Sequence, residues 1–185
     1  MKIIRKEDIK ISDWSGGKTS ELFIYPPKSN YKKLDFLFRL SKATIEVEES
    51  NFTPLPNVKR KLMVLEGELE LVHEGHHSKR LKSLEFDTFF GDWKTKSIGV
   101  ATDLNLMTLG DTKGDFSIIK AKKTQFHTYK IPNDFTVFYN CNGKLHFDEK
   151  ILNEGELLIF DSVQEDSFKF KLDAGSNIIV VRINL

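Results

Sequence analysis

The stretch FLFRLSKATIEV, residues 36–47, decides how this chain folds. Its side chains alternate with period two, so Phe36, Phe38 and Leu40 point one way while Leu37, Arg39, Ser41, Ala43, Ile45 and Val47 point the other. A strand covered on both faces follows. Residues 60–72, RKLMVLEGELELV, repeat the alternation. His73-Glu74-Gly75-His76-His77 then reads as an exposed hairpin tip, and residues 81–86 return as the partner strand. Working outward, short apolar alternation bounded by Gly, Pro, Asn and Asp predicts further strands at residues 21–25, 99–109, 116–120, 134–140, 144–147, 157–160, 168–172 and 177–183. Helical stripes are scarce, so the chain is predicted to be all-β, built as two sheets or a barrel.

The 185 residues carry 28 Lys+Arg against 27 Asp+Glu, a formal net charge of +1, which leaves no basic footprint for nucleic acid or an anionic membrane surface. With 39% hydrophobic and 30% charged residues, the chain is apolar enough to fold as a globule. A chain of this length buries roughly 70% of the surface its unfolded form exposes. The single cysteine, Cys141, excludes an internal disulfide framework and a multi-cysteine zinc or iron–sulfur centre, and points to a reducing compartment. The opening MKIIRKEDIKISDW scatters charges where a signal peptide needs an unbroken apolar run, and no stretch approaches the ~20 apolar residues of a membrane span. The expected location is the cytoplasm.

Asp111-Thr112-Lys113-Gly114-Asp115 is the best boundary candidate, separating residues 1–110 from 111–185. The second half reads as a degenerate copy of the first. MVLEGELELV (residues 63–72) and VFYNCNGKLHF (residues 137–147) each hold an apolar strand, a Gly two residues before a Leu, and a returning strand. The alternative is a chance likeness between two hairpins.

Five ordered blocks contain more specific residues than a bland β core requires. They are W-S-G-G-x-T-x-E-L from Trp14, F-x-F-R-L-S-x-A-x-I from Phe36, F-x-x-x-P-x-V-x-R-x-L-x-V-L-x-G from Phe52, F-x-G-D-W from Phe89 and T-D-L-N-L-M from Thr102. Spread over about the first 110 residues, they resemble the HutD/Ves family, accessory proteins of bacterial histidine-utilisation operons and their stress-associated relatives. That resemblance implies a cupin-like (RmlC-like jelly roll) β-barrel, duplicated into a bicupin, that binds a small molecule; an N-formylglutamate-type intermediate of histidine breakdown is the implied ligand. Two positions depart from the family pattern, Phe38 where a Trp is common and Asn57 where a Gly is common.

The cupin comparison tests metal chemistry. Counting back from Gly67, the ligating glutamate of a metal-binding cupin falls at Arg60, and its histidines fall at Thr53 or Pro54 and at Leu55 or Pro56. An arginine cannot ligate a cation, but its guanidinium can grip a carboxylate with two parallel hydrogen bonds. Arg39, a charge within an apolar strand, is costly unless paired or facing a wet cavity. We therefore expect a metal-free, cofactor-free barrel in which Arg39 and Arg60, with Ser41, Thr19 and Glu21, hold a small anionic metabolite, and Phe89 walls out water. The other reading of Arg39 is a structural salt bridge to Glu21, Asp92 or Asp103.

Trp14 is either a stacking platform or packing; Asp103 and Asn105, two apart on one strand face, either border the pocket or cap a turn. Gly16-Gly17 is too short for a phosphate loop. His73, His76 and His77 on the hairpin tip are expected to be solvated, with no metal bound. Three functions stay open: a sensor working by occupancy, a metal-independent isomerase or hydrolase with Glu21 or Asp92 as base, and a structural homodimer. A carboxyl with a raised pKa beside the arginines would favour the enzyme, and a filled interior the dimer.

Overall fold

The computed structural model describes residues 1–131, 134–161 and 167–185, and among them it contains no α-helix. In chain order the strands are β1 (Lys2–Ile4), β2 (Lys10–Trp14), β3 (Gly17–Tyr25), β4 (Phe38–Ile45), β5 (Glu49–Asn51), β6 (Lys59–Gly67), β7 (Leu69–His73), β8 (His77–Leu81), β9 (Phe86–Phe90), β10 (Thr95–Ile98), β11 (Ala101–Thr108), β12 (Lys113–Lys120), β13 (Gln125–Lys130), β14 (Phe135–Asn142), β15 (Leu145–Phe147), β16 (Lys150–Leu152), β17 (Leu157–Asp161), β18 (Ser167–Leu172) and β19 (Asn177–Asn184). The period-two reading of residues 36–47 holds. Phe38 and Leu40 are buried on one face of β4, and Arg39 and Ser41 on the other.

The chain divides into two compact units, one of Lys10–Thr112 and one of Met1–Ile9 with Lys113–Leu185. The first nine residues thus join the C-terminal unit, not the N-terminal half to which the sequence assigns them. The cause is pairing: β1 lies antiparallel to β17, and Arg5 donates to the buried Glu156 carboxylate at 2.7 Å.

In the N-terminal unit the strands form a six-stranded sheet, β2-β3-β4-β11-β6-β9, and a four-stranded sheet, β5-β10-β7-β8. Residues 60–72 are therefore two strands in different sheets. Gly67 makes the break, with φ of +82° at a place where a Cβ would meet the Val100 carbonyl. The predicted return at residues 81–86 is also corrected: β8 ends at Leu81, a turn follows, and β9 begins at Phe86. Two apolar clusters pack this unit. One is centred on Ile45, Leu62, Val64, Leu69, Leu71 and Phe89, the other on Phe36, Leu55, Val58 and Met107.

The C-terminal unit pairs the sheet β1-β17-β14-β19-β12 with the sheet β13-β18-β15-β16, around a core rich in Phe138, Phe168, Phe170 and Leu172. Its strand order repeats that of the first unit. Counting β4 to β11 as eight successive strands, one sheet runs first-eighth-third-sixth and the other second-seventh-fourth-fifth; β12 to β19 give the same two orders. That is the order of a jelly roll. Among the described residues the two sheets of each unit share no ladder, so of the two sheets or barrel that the sequence allows each unit is a two-sheet roll whose barrel is not closed.

Candidate functional site

Strand register lays out the site. Residues directly paired across a sheet share a face. On one face of the six-stranded sheet Arg39, Met107, Arg60 and Phe89 form a row, Glu21, Ser41, Asn105 and Leu62 form the next, and Thr19, Ala43, Asp103 and Val64 a third. Along β11 this face reads Ala101, Asp103, Asn105, Met107. Its ends belong to the two apolar clusters, so the polar pair lies between them.

A cavity of about 370 Å³ opens here, bordered by Trp14, Thr19, Arg39, Ser41, Arg60, Asp103 and Asn105, all named by the sequence. The other three named residues do not line it. Glu21 instead accepts a hydrogen bond from Arg39 Nε at 2.8 Å, Phe89 stacks behind Arg60, and Asp92 is exposed in a turn. Missed by the sequence reading are Tyr31 and Phe52, together with Ser12, Asp13, Lys32, Asn51 and Thr53. Phe52 heads the third sequence block and so carried a signal. Tyr31 carried none: it sits in the short 3-10 turn Tyr31–Lys33, whose N-cap Asn30 accepts the Lys32 amide at 2.9 Å.

Both guanidinium groups are buried and braced by aromatic rings. Arg39, 6% exposed, donates to Glu21 and, through Nη1, to Ser41 Oγ at 3.0 Å, and its Cζ lies 4.5 Å from the Tyr31 ring centre. This leaves further N–H groups on the guanidinium. Arg60, 7% exposed, lies 4.7 Å from the Phe52 ring centre and 5.1 Å from that of Phe89, and its Nε has no hydrogen-bond partner. Such contacts contribute about 0.5–2 kcal/mol each and hold the cation without consuming its donors.

Burial also shifts protonation. Desolvation brings the Arg60 pKa down to about 10, which still leaves the group charged at neutral pH. Asp103, 2% exposed, is pushed up to about 7 by burial, with the Arg60 charge partly opposing the shift. A donor set of two guanidinium groups does not fit a divalent cation, so no metal chemistry is assigned to this cavity.

The β7–β8 hairpin turns where the sequence predicts, with Glu74, Gly75, His76 and His77 exposed, but His73 is not solvated. His73 ends β7, 2% exposed, and pairs in register with His77 at the start of β8; His76 stacks on Trp93 at 3.7 Å.

Fold and cavity together define a cupin-like all-β protein. A family model described as HutD matches residues 6–180, and the chain belongs to the HutD family. Among solved structures, PA5104 from Pseudomonas aeruginosa PAO1, a conserved protein of unknown function, superposes with a TM-score of 0.80 at 18% identity over 100% of this chain and 98% of that one. HutD from Pseudomonas fluorescens SBW25, solved in a formate condition, gives 0.78 at 18% identity over 99% and 97%. The bacterial pirin YhhW from Escherichia coli in complex with nickel(II) gives 0.70 at 10% identity over 98% and 97%. At these identities the likeness is one of fold. No curated protein matches the sequence.

Proposed function

We propose that the N-terminal cavity binds a small anionic metabolite between Arg39 and Arg60, and that the protein acts through occupancy, as a cytoplasmic sensor or regulator. One observation carries this reading: Arg60 Nε, Trp14 Nε1, Asp103 Oδ1 and Asn105 Oδ1 are all buried without a hydrogen-bond partner, and all four residues border the same cavity. Each such group costs about 1–3 kcal/mol while unpaired, so an occupant that pairs several of them binds with their relief. The N–H donors call for a carboxylate, and the two side-chain oxygens call for an N–H. An N-acylated amino acid carries both. Membership of the HutD family supports histidine breakdown as its source, with N-formylglutamate the leading candidate. A cytoplasmic setting accords with the lone Cys141 and with the absence, among the described residues, of a helix long and apolar enough to cross a membrane.

We read the second unit as a degenerate duplicate, making the chain a bicupin. The repeated strand order supports this, and so does the correspondence of β6-β7 to β14-β15, the two hairpins that are alike in sequence.

A second reading has one observation in its favour. The raised carboxyl of Asp103 beside Arg60 is what a general acid or base requires, in place of Glu21, which is committed to Arg39, and Asp92, which is exposed. On that reading the protein is a metal-independent isomerase or hydrolase of the same acid. An open cavity speaks against the third expectation, a ligand-free structural dimer.

The test is calorimetry and thermal shift with formate, glutamate, N-formylglutamate and other small dicarboxylates. A ligand at about 100 times its Kd stabilises the fold by about 2.7 kcal/mol. Arg39→Ala is expected to weaken binding at least tenfold, and rising salt to weaken it further. Equal affinity in wild type and Arg39→Ala, or no thermal shift with any of these acids, overturns the reading. Appearance of a product in the same mixtures, lost in Asp103→Asn, decides for the enzyme.

A further inference from the structure

We propose that His73 Nε2, His77 Nε2 and Asp87 Oδ2 form a binding site for one divalent transition-metal ion, separate from the anion cavity and independent of that reading. Each of the three residues offers one ligand atom, and these atoms lie within 4.8 Å of one another. The site is assembled from two sheets. His73 and His77 are cross-strand partners on β7 and β8, which brings both imidazoles to one side of the hairpin, with ring centres 4.7 Å apart. Asp87 reaches them from β9. Its Oδ2 lies 2.8 Å from His77 Nε2 and 3.4 Å from His73 Nε2. Ligand atoms around a tetrahedral ion with metal–ligand distances near 2.0–2.2 Å stand roughly 3.3 Å apart. The 3.4 Å separation already matches this, and a side-chain adjustment of the half-exposed His77 sets the other two.

The polar contacts leave a place for a cation. Thr95 Oγ1 donates to the Trp93 carbonyl at 3.3 Å and lies 2.7 Å from His73 Nδ1, so we assign the His73 proton to Nδ1, where it is donated to that hydroxyl. Nε2 then carries a lone pair, and it is buried with no hydrogen-bond partner. It faces a carboxylate oxygen, and two acceptors at 3.4 Å call for a positive charge between them. Lys79 is not the missing cation: its Nζ is 3.9 Å from Oδ1, the other carboxylate oxygen, and it donates to the Phe86 carbonyl at 2.9 Å.

The surroundings match those of known metal sites. The Thr95 contact fixes the tautomer that a metal-binding imidazole needs, and the Thr88 amide, donating to Asp87 Oδ1 at 2.8 Å, orients the carboxylate while leaving Oδ2 available. His77, 40% exposed, can shift its proton to Nδ1 through solvent on metal binding, and on its side a water completes the coordination. Two imidazoles and one carboxylate suit zinc, cobalt, nickel or iron rather than calcium or magnesium.

The experiment uses the full chain, freed of metal by a chelator and desalted, titrated at pH 7.5 with Zn(II) by calorimetry and with Co(II) by visible absorption. One equivalent per chain is expected, with the Co(II) spectrum of a low-symmetry nitrogen–oxygen site. His77→Ala and Asp87→Asn should each weaken binding at least about tenfold, and Thr95→Val, which touches no metal, about 10–100-fold. His146→Ala, which breaks the 3.0 Å His146–Asp173 pair of the C-terminal unit, should leave it unchanged. Circular dichroism identifies the folded variants, and His77→Ala, at a half-exposed position, keeps the test decisive if Asp87→Asn fails to fold. No stoichiometric uptake by the wild type, or undiminished affinity in His77→Ala, overturns the site.

Discussion

Asp103 is the residue on which the chemistry of the cavity turns. Its carboxyl, buried beside the Arg60 guanidinium, titrates near 7 and so changes charge within the physiological range. Below that pH it is neutral and able to donate a hydrogen bond to a bound anion; above it, it is itself an anion and repels one. Carboxylate affinity measured by calorimetry should therefore fall as pH rises from 6 to 8, and Asp103→Asn should flatten the profile. Stability follows the same sign. The folded pKa lies above the ordinary value of 3.8, so the contribution of this group is fully present below that value and is lost as pH rises through about 7. Urea midpoints across this window should decline less in Asp103→Asn than in wild type. The sequence placed Asp103 and Asn105 on one strand face but left their role open, because period two fixes a face and not what fills the space in front of it.

At the scale of elements, Gly67 governs how the chain passes from one sheet to the other. It closes β6 opposite Ala101, and its φ of +82° and the nearby Val100 carbonyl exclude a side chain on two separate grounds. Gly75, at the hairpin tip, shares the left-handed backbone at +78° but has open space around it. Gly75→Ala should cost about 1 kcal/mol for the backbone alone, and Gly67→Ala roughly 2 kcal/mol or more, since a carbonyl must also move. Chemical denaturation of both variants measures the difference; equal losses would remove the close approach from the account. A similar constraint acts at the Gly16-Gly17 turn, where a Cβ at the first would strike the Trp14 ring and one at the second the Thr44 carbonyl. The turn thus helps hold Trp14 at the cavity edge.

For the molecule as a whole, the cavity and the anchor of the first residues lie in different units. The cavity is built entirely from residues between Ser12 and Met107, while the first nine residues belong to the C-terminal unit. There, Arg5 Nη1 meets the buried Glu156 carboxylate, which also accepts the Asn153 amide at 2.7 Å. Removing the arginine leaves that charge without its cation. Arg5→Ala should lower global stability by about 1–3 kcal/mol, read from thermal or urea unfolding. Anion affinity in the cavity should stay at the wild-type value, and a matching loss of affinity would show that the units are energetically coupled at the site.

The all-β class, the two-faced strand around Arg39, the hairpin likeness between the halves and the polar residues on β4, β6 and β11 that border the cavity were legible in the one-dimensional pattern. Alternation, turn residues and ordered motifs are local properties that a chain carries with it into any fold. Tertiary structure alone decided the rest. It split residues 60–72 between two sheets, moved the first nine residues to the far end of the chain, seated Tyr31 over Arg39, and buried the first imidazole of an otherwise exposed hairpin tip against Asp87. These outcomes depend on pairing between segments distant in sequence and on the loss of water from charged groups, neither of which leaves a local periodic trace.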